Sequence, residues 1–221
     1  MGKNILVVAV HPDDETLGCG GSLLRHKKNG DRVHWCIVSD MRESEGFSSA
    51  VIKRRAGEIK LVARAYGFDS VTNLHLPATA VDSVALGERV RLFSKVFNKV
   101  RPDTVYLPFS GDIHSDHRAT FEAANVCVKT FRYPFCKCVL MMETLSETEY
   151  AVPGFGFAPN YFRDISSYIG KKMKIMGIYK SEMKPHPFPR SERSIHSLAS
   201  FRGETAGCEY AESFMLLKWV D

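Results

Sequence analysis

The stretch Ile5-Leu6-Val7-Val8-Ala9-Val10-His11-Pro12-Asp13-Asp14-Glu15 decides how this chain is read. Its first six residues are apolar and mostly β-branched, the composition of a strand buried on both faces of a parallel sheet. An imidazole and three carboxylates follow at once, with Pro12 removing one backbone donor and fixing φ. Polar side chains gathered at the tip of a buried strand are costly unless something uses them. In open α/β sheets that tip is where ligands bind. Thr16-Leu17-Gly18 then leads into 22–28, which reads as a helix.

Outward from this stretch the chain alternates. A second strand is expected over 33–39. Ile52, Ala56, Ile59, Val62, Ala63 and Tyr66 then recur at helical spacing until Gly67 stops them. A third strand covers 71–76. Leu86, Val90, Phe93, Val96, Phe97 and Val100 mark the next helix, and 104–108 is a fourth strand. That strand runs into Phe109-Ser110-Gly111-Asp112-Ile113-His114-Ser115-Asp116-His117, ahead of a helix with Phe121, Ala124, Val128 and Phe131 on one side. A fifth strand covers 137–143. Strand–helix alternation with short links predicts an α/β, Rossmann-like, doubly wound and mostly parallel sheet.

From Leu145 the texture changes, so the expectation is one domain over 1–221, with a core over 1–144 and a C-terminal elaboration over 145–221 that shapes the pocket. Residues 151–162 are rich in Gly, Pro and aromatics and read as a loop, although exposed rings there could stack on a sugar. Asp164 is placed as the cap of a helix carrying Ile165, Ile169, Met173 and Met176, whose methionines pack in the core. Residues 184–190 are too proline-rich for a helix. A short helix at 193–201 and a strand at 211–217 follow.

Composition narrows the function. The chain has 221 residues, 44% of them apolar and 25% charged, as ordinary globular proteins do. No apolar run is long enough to span a bilayer, and Met1-Gly2-Lys3 passes straight into a strand, so a cytoplasmic protein with no integral membrane segment is expected. The six cysteines include no C-x-x-C pair and read as reduced thiols. A net charge of +5 gives a mild preference for anionic ligands, but the basic residues form no stripe and no nucleic-acid motif is present. Self-association is left open.

The two polar clusters follow the first and fourth strands. In the strand order 3-2-1-4-5 these are neighbours at the point where the order reverses, so the clusters meet in one crevice. His11, Asp14 and His117 then supply two imidazoles and a carboxylate, a set that suits zinc with one position open and accepts other divalent metals. Asp13 is left over as a carboxylate able to take a proton from metal-activated water. Asp116 could hold the His114 imidazole in one tautomer and favour its protonated form, for donation to an oxyanion or leaving group. Arg55 falls on the buried side of its helix. It either snorkels out, pairing with Glu58, or reaches into the site.

Blander readings compete. A His-x-x-His segment can be a polar turn, and Asp13 and Asp14 can simply cap a helix. Gly18-Cys19-Gly20-Gly21 invites a dinucleotide reading, but Leu23 stands where G-x-G-x-x-G needs its last glycine, and the acidic cluster would repel a pyrophosphate.

Val10-His11-Pro12-Asp13-Asp14-Glu15 with Gly18-Cys19-Gly20-Gly21, followed by His114-Ser115-Asp116-His117, resembles the PIG-L/LmbE-like family of zinc-dependent N-deacetylases. The likeness returns at Tyr210-Ala211-Glu212-Ser213-Phe214. It implies a Rossmann-like fold and removal of an acetyl group from N-acetylglucosaminyl-type compounds. It implies His11, Asp14 and His117 as Zn2+ ligands and Asp13 as general base. His114, backed by Asp116, would assist at the tetrahedral intermediate. Arg55 becomes a pocket arginine, placed among the catalytic residues as an aid to His114 at the oxyanion and, with Glu15, among the substrate-binding residues. One departure is visible: Ala78 follows Pro77 where the family often has a sugar-contacting aspartate.

The expected partner is thus a small N-acetylated sugar. Arg55 with Lys184, His186, Arg190, Arg193 and Arg202 motivates a phosphate or carboxylate on it, against the alternative of an ordinary basic surface. Cleavage of a larger thiol or sugar conjugate, and a non-catalytic sugar-binding module, are the rival functions.

Overall fold

Side chains of the first strand alternate between two cores from Ile5 to Ala9, which is why that run carries no polar residue. In the computed structural model, which describes residues 2–221, strand β1 spans Asn4–Ala9. Met1, where the expected run into that strand begins, lies outside the described residues. Ile5, Val7 and Ala9 enter one apolar cluster, and Leu6 and Val8 enter the other. Burying each of the larger of these side chains contributes about 1.5–3 kcal/mol.

The remaining strands are β2 (Arg32–Asp40), β3 (Ser70–Pro77), β4 (Thr104–Leu107), β5 (Cys138–Met142), β6 (Tyr161–Asp164) and β7 (Ala211–Trp219). They form one sheet in the order β3-β2-β1-β4-β5-β7-β6. Strands β1 to β5 are parallel, and β7 runs antiparallel to both of its neighbours. The helices are α1 (Asp14–Lys28), α2 (Ser49–Tyr66), α3 (Leu86–Val100), α4 (Ser115–Val126), α5 (Ile169–Met176) and α6 (Glu192–Ala206). Leu23, Val62, Tyr66, Met176 and Ile195, from α1, α2, α5 and α6, pack on one face of the sheet. Phe93, Phe97, Ala119 and Ala123, from α3 and α4, pack on the other. The expected α/β, doubly wound sheet is therefore present, with β1 beside β4 and a crevice at their C-terminal tips.

The first helix starts at Asp14, earlier than expected, and contains a break at Cys19 (φ −148°). The Glu212 carboxylate of β7 closes that break. It accepts from the Gly21 and Ser22 backbone N–H groups (both 2.8 Å) and from Ser22 Oγ (2.6 Å), and it pairs with the buried Lys172 ammonium at 2.9 Å. The glycines serve this packing. A Cβ on Gly21 would lie 2.6 Å from Ile165, and one on Gly18 would lie 2.8 Å from Met142 Cβ.

Strand β6 begins within the last two residues of the segment read as loop and runs on to the expected helix cap. Asp164 ends it and bonds Ser166 in a turn, so α5 begins four residues later than the expected Ile165. Helix α4 stops at Val126, which leaves Phe131 exposed and off its face. Helix α6 is longer than expected, held by the Ser191 cap and ended by Gly207 at φ 70°. Met176 is fully buried, as expected. All six cysteines are free. Among the described residues no helix is long and apolar enough to cross a membrane.

Candidate active site

The tips of β1 and β4 bring His11, Asp14 and His117 together, with one ligand-type atom from each lying within 4.8 Å of the others. His117 Nε2 is 3.4 Å from Asp14 Oδ2. The other His117 nitrogen, Nδ1, is held by the fully buried Asp112 carboxylate at 2.8 Å, and Thr148 Oγ1 donates to that carboxylate at 2.7 Å. His117 Nε2 is itself buried without a hydrogen-bond partner. A buried imidazole nitrogen left orphaned while its opposite nitrogen is carboxylate-bound is the arrangement of a metal ligand. Burial alone would lower the His117 pKa, but the Asp14 and Asp112 carboxylates outweigh it and raise the group to about 9. A cation seated here would replace that proton.

A second triad, His11, His114 and Asp116, also lies within reach of a single ion. Its members are already engaged. The Asp116 carboxylate accepts from the Thr79 and Val81 backbone N–H groups at 2.7 and 3.0 Å and contacts His11 Nε2 at 3.2 Å. Burial would raise its pKa, but the bonds from His11 and Val81 hold it below the usual carboxylate range. Asp116 therefore orients His11, as Asp112 orients His117, and leaves His11 Nδ1 facing Asp14.

This corrects the expected pairing of Asp116 with His114. The contact between those two residues is the Asp116 backbone N–H donating to His114 Nδ1 at 3.1 Å, where His114 caps α4. The proton of a neutral His114 then sits on Nε2. Nor is its protonated form favoured: burial, with His11 next, lowers its pKa.

Asp13 occupies the capping position of α1 but makes no capping bond, so the bland reading fails for it. Among the described residues its carboxylate has no hydrogen-bond partner. Its backbone sits at φ 143°, a region that costs a non-glycine residue about 1–3 kcal/mol and recurs at functional sites. Burial first, and the Asp14 carboxylate second, push its carboxyl well above the usual range.

Glu15 was expected to touch substrate. It is fully buried instead, accepting from Thr16 Oγ1 (2.6 Å), Tyr179 OH (2.9 Å) and the Asp13 N–H (3.1 Å). It braces the strained turn from behind, and burial raises its pKa to about 7. Arg55 realises parts of both readings. It lies 3.3 Å from Glu58, donates to the Pro12 carbonyl at 2.7 Å, pairs with Glu182, and lines the cavity.

That cavity, of about 440 Å³, opens over the metal-type cluster. Met41, Phe47, Ile52 and Ile59 give it an apolar wall. Five carboxylates line it (Asp13, Asp14, Asp40, Glu147, Glu182) against two guanidinium groups, Arg55 and Arg190, both paired with Glu182. Of the C-terminal basic residues expected near the site, only Arg190 lines it. Lys184, His186 and Arg193 line a separate depression, and Arg202 pairs with Glu143. Asp112 and Glu182 were missed in the sequence. A carboxylate five residues before a ligand-type histidine was a usable signal for Asp112, whereas Glu182 comes from a segment with no pattern.

The profile of the GlcNAc-PI de-N-acetylase family, PIG-L, matches residues 6–128, more than half of the chain. The chain belongs to the PIG-L family. Among relatives, it is 26% identical to a diacetylchitobiose deacetylase of Thermococcus kodakarensis, covering 99% of this chain and 84% of that protein. The fold superposes on an N,N′-diacetylchitobiose deacetylase from Pyrococcus horikoshii with a TM-score of 0.75, at 22% identity, over 98% of this chain and 84% of that one. It superposes as well, at 0.75 and 20% identity, on a 4-carboxy-2-hydroxymuconate hydratase from Pseudomonas putida, over 99% and 98% of the two chains. The architecture thus also hosts another reaction, and it is the site of a PIG-L protein that has to carry the functional argument.

Proposed function

We propose that this PIG-L protein is a metal-dependent deacetylase that removes the acetyl group from an N-acetylated amino sugar. The observation that carries the reading is the orphaned His117 Nε2 beside Asp14 and His11, with the unbonded Asp13 carboxylate next to it over the cavity. The amino sugar follows from the family and from the chitobiose-acting relatives. His11, Asp14 and His117 would hold the ion, and two imidazoles with one carboxylate favour zinc. Such an ion supplies Lewis-acid chemistry, lowering the pKa of water and polarising the acetyl carbonyl.

The chain's own residues do the rest. Asp13, buried and raised in basicity, accepts the proton of the attacking water. His114 presents its Nε2–H to the oxyanion and holds it through the addition step. Asp13 then returns its proton to the departing amine, which cannot leave as an anion. Arg55 fixes the Pro12 carbonyl and so the aim of Asp13. With five carboxylates in the lining and both guanidinium groups paired, the reading favours a neutral sugar over the anionic one expected from net charge.

Metal analysis of the purified protein, with acetate release from N-acetylglucosamine, N,N′-diacetylchitobiose and a phosphorylated counterpart, tests this. Bound zinc and faster release from the neutral sugars are expected. Bound metal with no amide hydrolysis would reject the deacetylase reading, and preference for the phosphorylated sugar would reject the neutral one.

A further inference from the structure

Strands β2 and β3 lose register near the cavity. Ile37 pairs with Asn73 but Ser39 pairs with Leu76, so β3 carries one extra residue. Such bulges re-aim side chains and concentrate beside active sites. Within this one His75 stands at φ 55°, in the left-handed region that few non-glycine residues adopt and that recurs at functional sites. The surroundings here are polar. Asp40 Oδ2 binds His75 Nδ1 at 2.6 Å, Asn73 Oδ1 accepts the His75 N–H at 2.8 Å, and Arg42 bonds the His75 carbonyl and lies 3.3 Å from Asp40 Oδ1.

None of this returns much as stability. The His75 side chain is 68% exposed, and ion pairs so open to water contribute little. Three polar side chains and a strained backbone nevertheless hold one ring at the cavity, which Asp40, Asn73 and His75 all line. The apolar wall of Met41, Phe47, Ile52 and Ile59 offers hydroxyl groups nothing, and Arg55 and Arg190 are spent on Glu182. His75 Nε2, by contrast, has no partner among the described residues.

We propose that Asp40, Asn73 and His75 form a hydroxyl-binding subsite that selects which N-acetylated sugar the cavity accepts. The inference rests on the amino-sugar reading above. The carboxylate accepts from a sugar O–H, the amide N–H donates to a sugar oxygen, and the imidazole Nε2 closes a second bond to a neighbouring hydroxyl. These residues specify substrate and take no part in moving the acetyl group.

The test is binding in the Asp13→Asn protein. Dissociation constants are measured for methyl N-acetyl-β-glucosaminide, its single-deoxy analogues, and N-acetylcyclohexylamine, which keeps the amide and lacks hydroxyls. His75→Gly retains the positive φ without strain and so should fold; Asp40→Asn is the second variant. Each should weaken the sugar about tenfold, the worth of a hydrogen bond or two. The hydroxyl-free amide should bind unchanged. One deoxy analogue should bind the parent about tenfold more weakly and lose nothing further in His75→Gly. Unchanged sugar affinity, or equal weakening of the hydroxyl-free amide, would overturn the subsite. Acetate release by the unmutated protein is scored separately. No release alongside hydroxyl-dependent binding rejects the deacetylase reading and keeps the subsite.

Discussion

At the scale of single residues, the proposed ligands, base and orienting groups should separate by what each loses on mutation. His11→Ala and His117→Ala should each lose metal together with activity, read by metal analysis of dialysed protein; full occupancy in both would remove the assignment. Asp13→Asn should keep the metal and lose roughly 10²–10⁴-fold in kcat, the usual effect of removing a general base. Asp112→Asn should lower metal affinity about 10–100-fold, because it loosens the ring that Asp112 orients; an unchanged affinity would make Asp112 a bystander. That His11, Asp13, Asp14 and His117 cluster was legible in the sequence, because these residues are chemically distinctive and sit at strand tips. The partners of Asp116 were not. Which imidazole it meets depends on backbone direction at Thr79 and Val81, 35 or more residues away, and no spacing rule encodes that.

At the scale of elements, what could be read were segments whose own periodicity decides them. Strand β1, helix α3 and the 3-2-1-4-5 order followed from apolar runs and short links. Strand β6 escaped because its hydrogen bonds go to β7, some fifty residues on, and its own residues carry no alternation. The break in α1 escaped for the same reason: its cap, Glu212, is supplied from the far end of the chain. Glu212→Ala would strand the Lys172 ammonium in the interior and orphan the Gly21 and Ser22 N–H groups. Removing one partner of such a buried pair costs about 3–5 kcal/mol. Urea unfolding should show a loss of that order with an unchanged m-value; a loss below about 1 kcal/mol would mean that water reaches the break.

For the whole molecule, the buried Glu15 links stability to pH. Its pKa is raised from the usual 4.5 to about 7 in the fold, so between those values the folded state binds more protons than the unfolded one. Stability contributed by this group is present below about pH 4.5 and is lost as pH rises towards 7. Glu15→Gln removes the titration. In chelator-treated protein the fall in Tm from pH 4.5 to 7 should therefore be shallower for Glu15→Gln than for the parent. Parallel curves would show that Glu15 ionises in the fold much as it does in water.

The clasp between Glu212 and the break in α1 also bears on the order in which the molecule assembles. His11, Asp14 and His117 all lie before residue 118, yet the helix that carries Asp14 is completed by contacts spanning 190 and 191 positions. Closing so large a loop is slow, and contacts of this range form late. An N-terminal piece ending at residue 144 would hold His11, Asp14 and His117 but lack Lys172, Tyr179, Glu182 and Glu212. It should collapse without capturing an ion. Metal uptake by the full chain should then keep pace with the docking of β7, which stopped-flow refolding with a metal-sensitive dye would read.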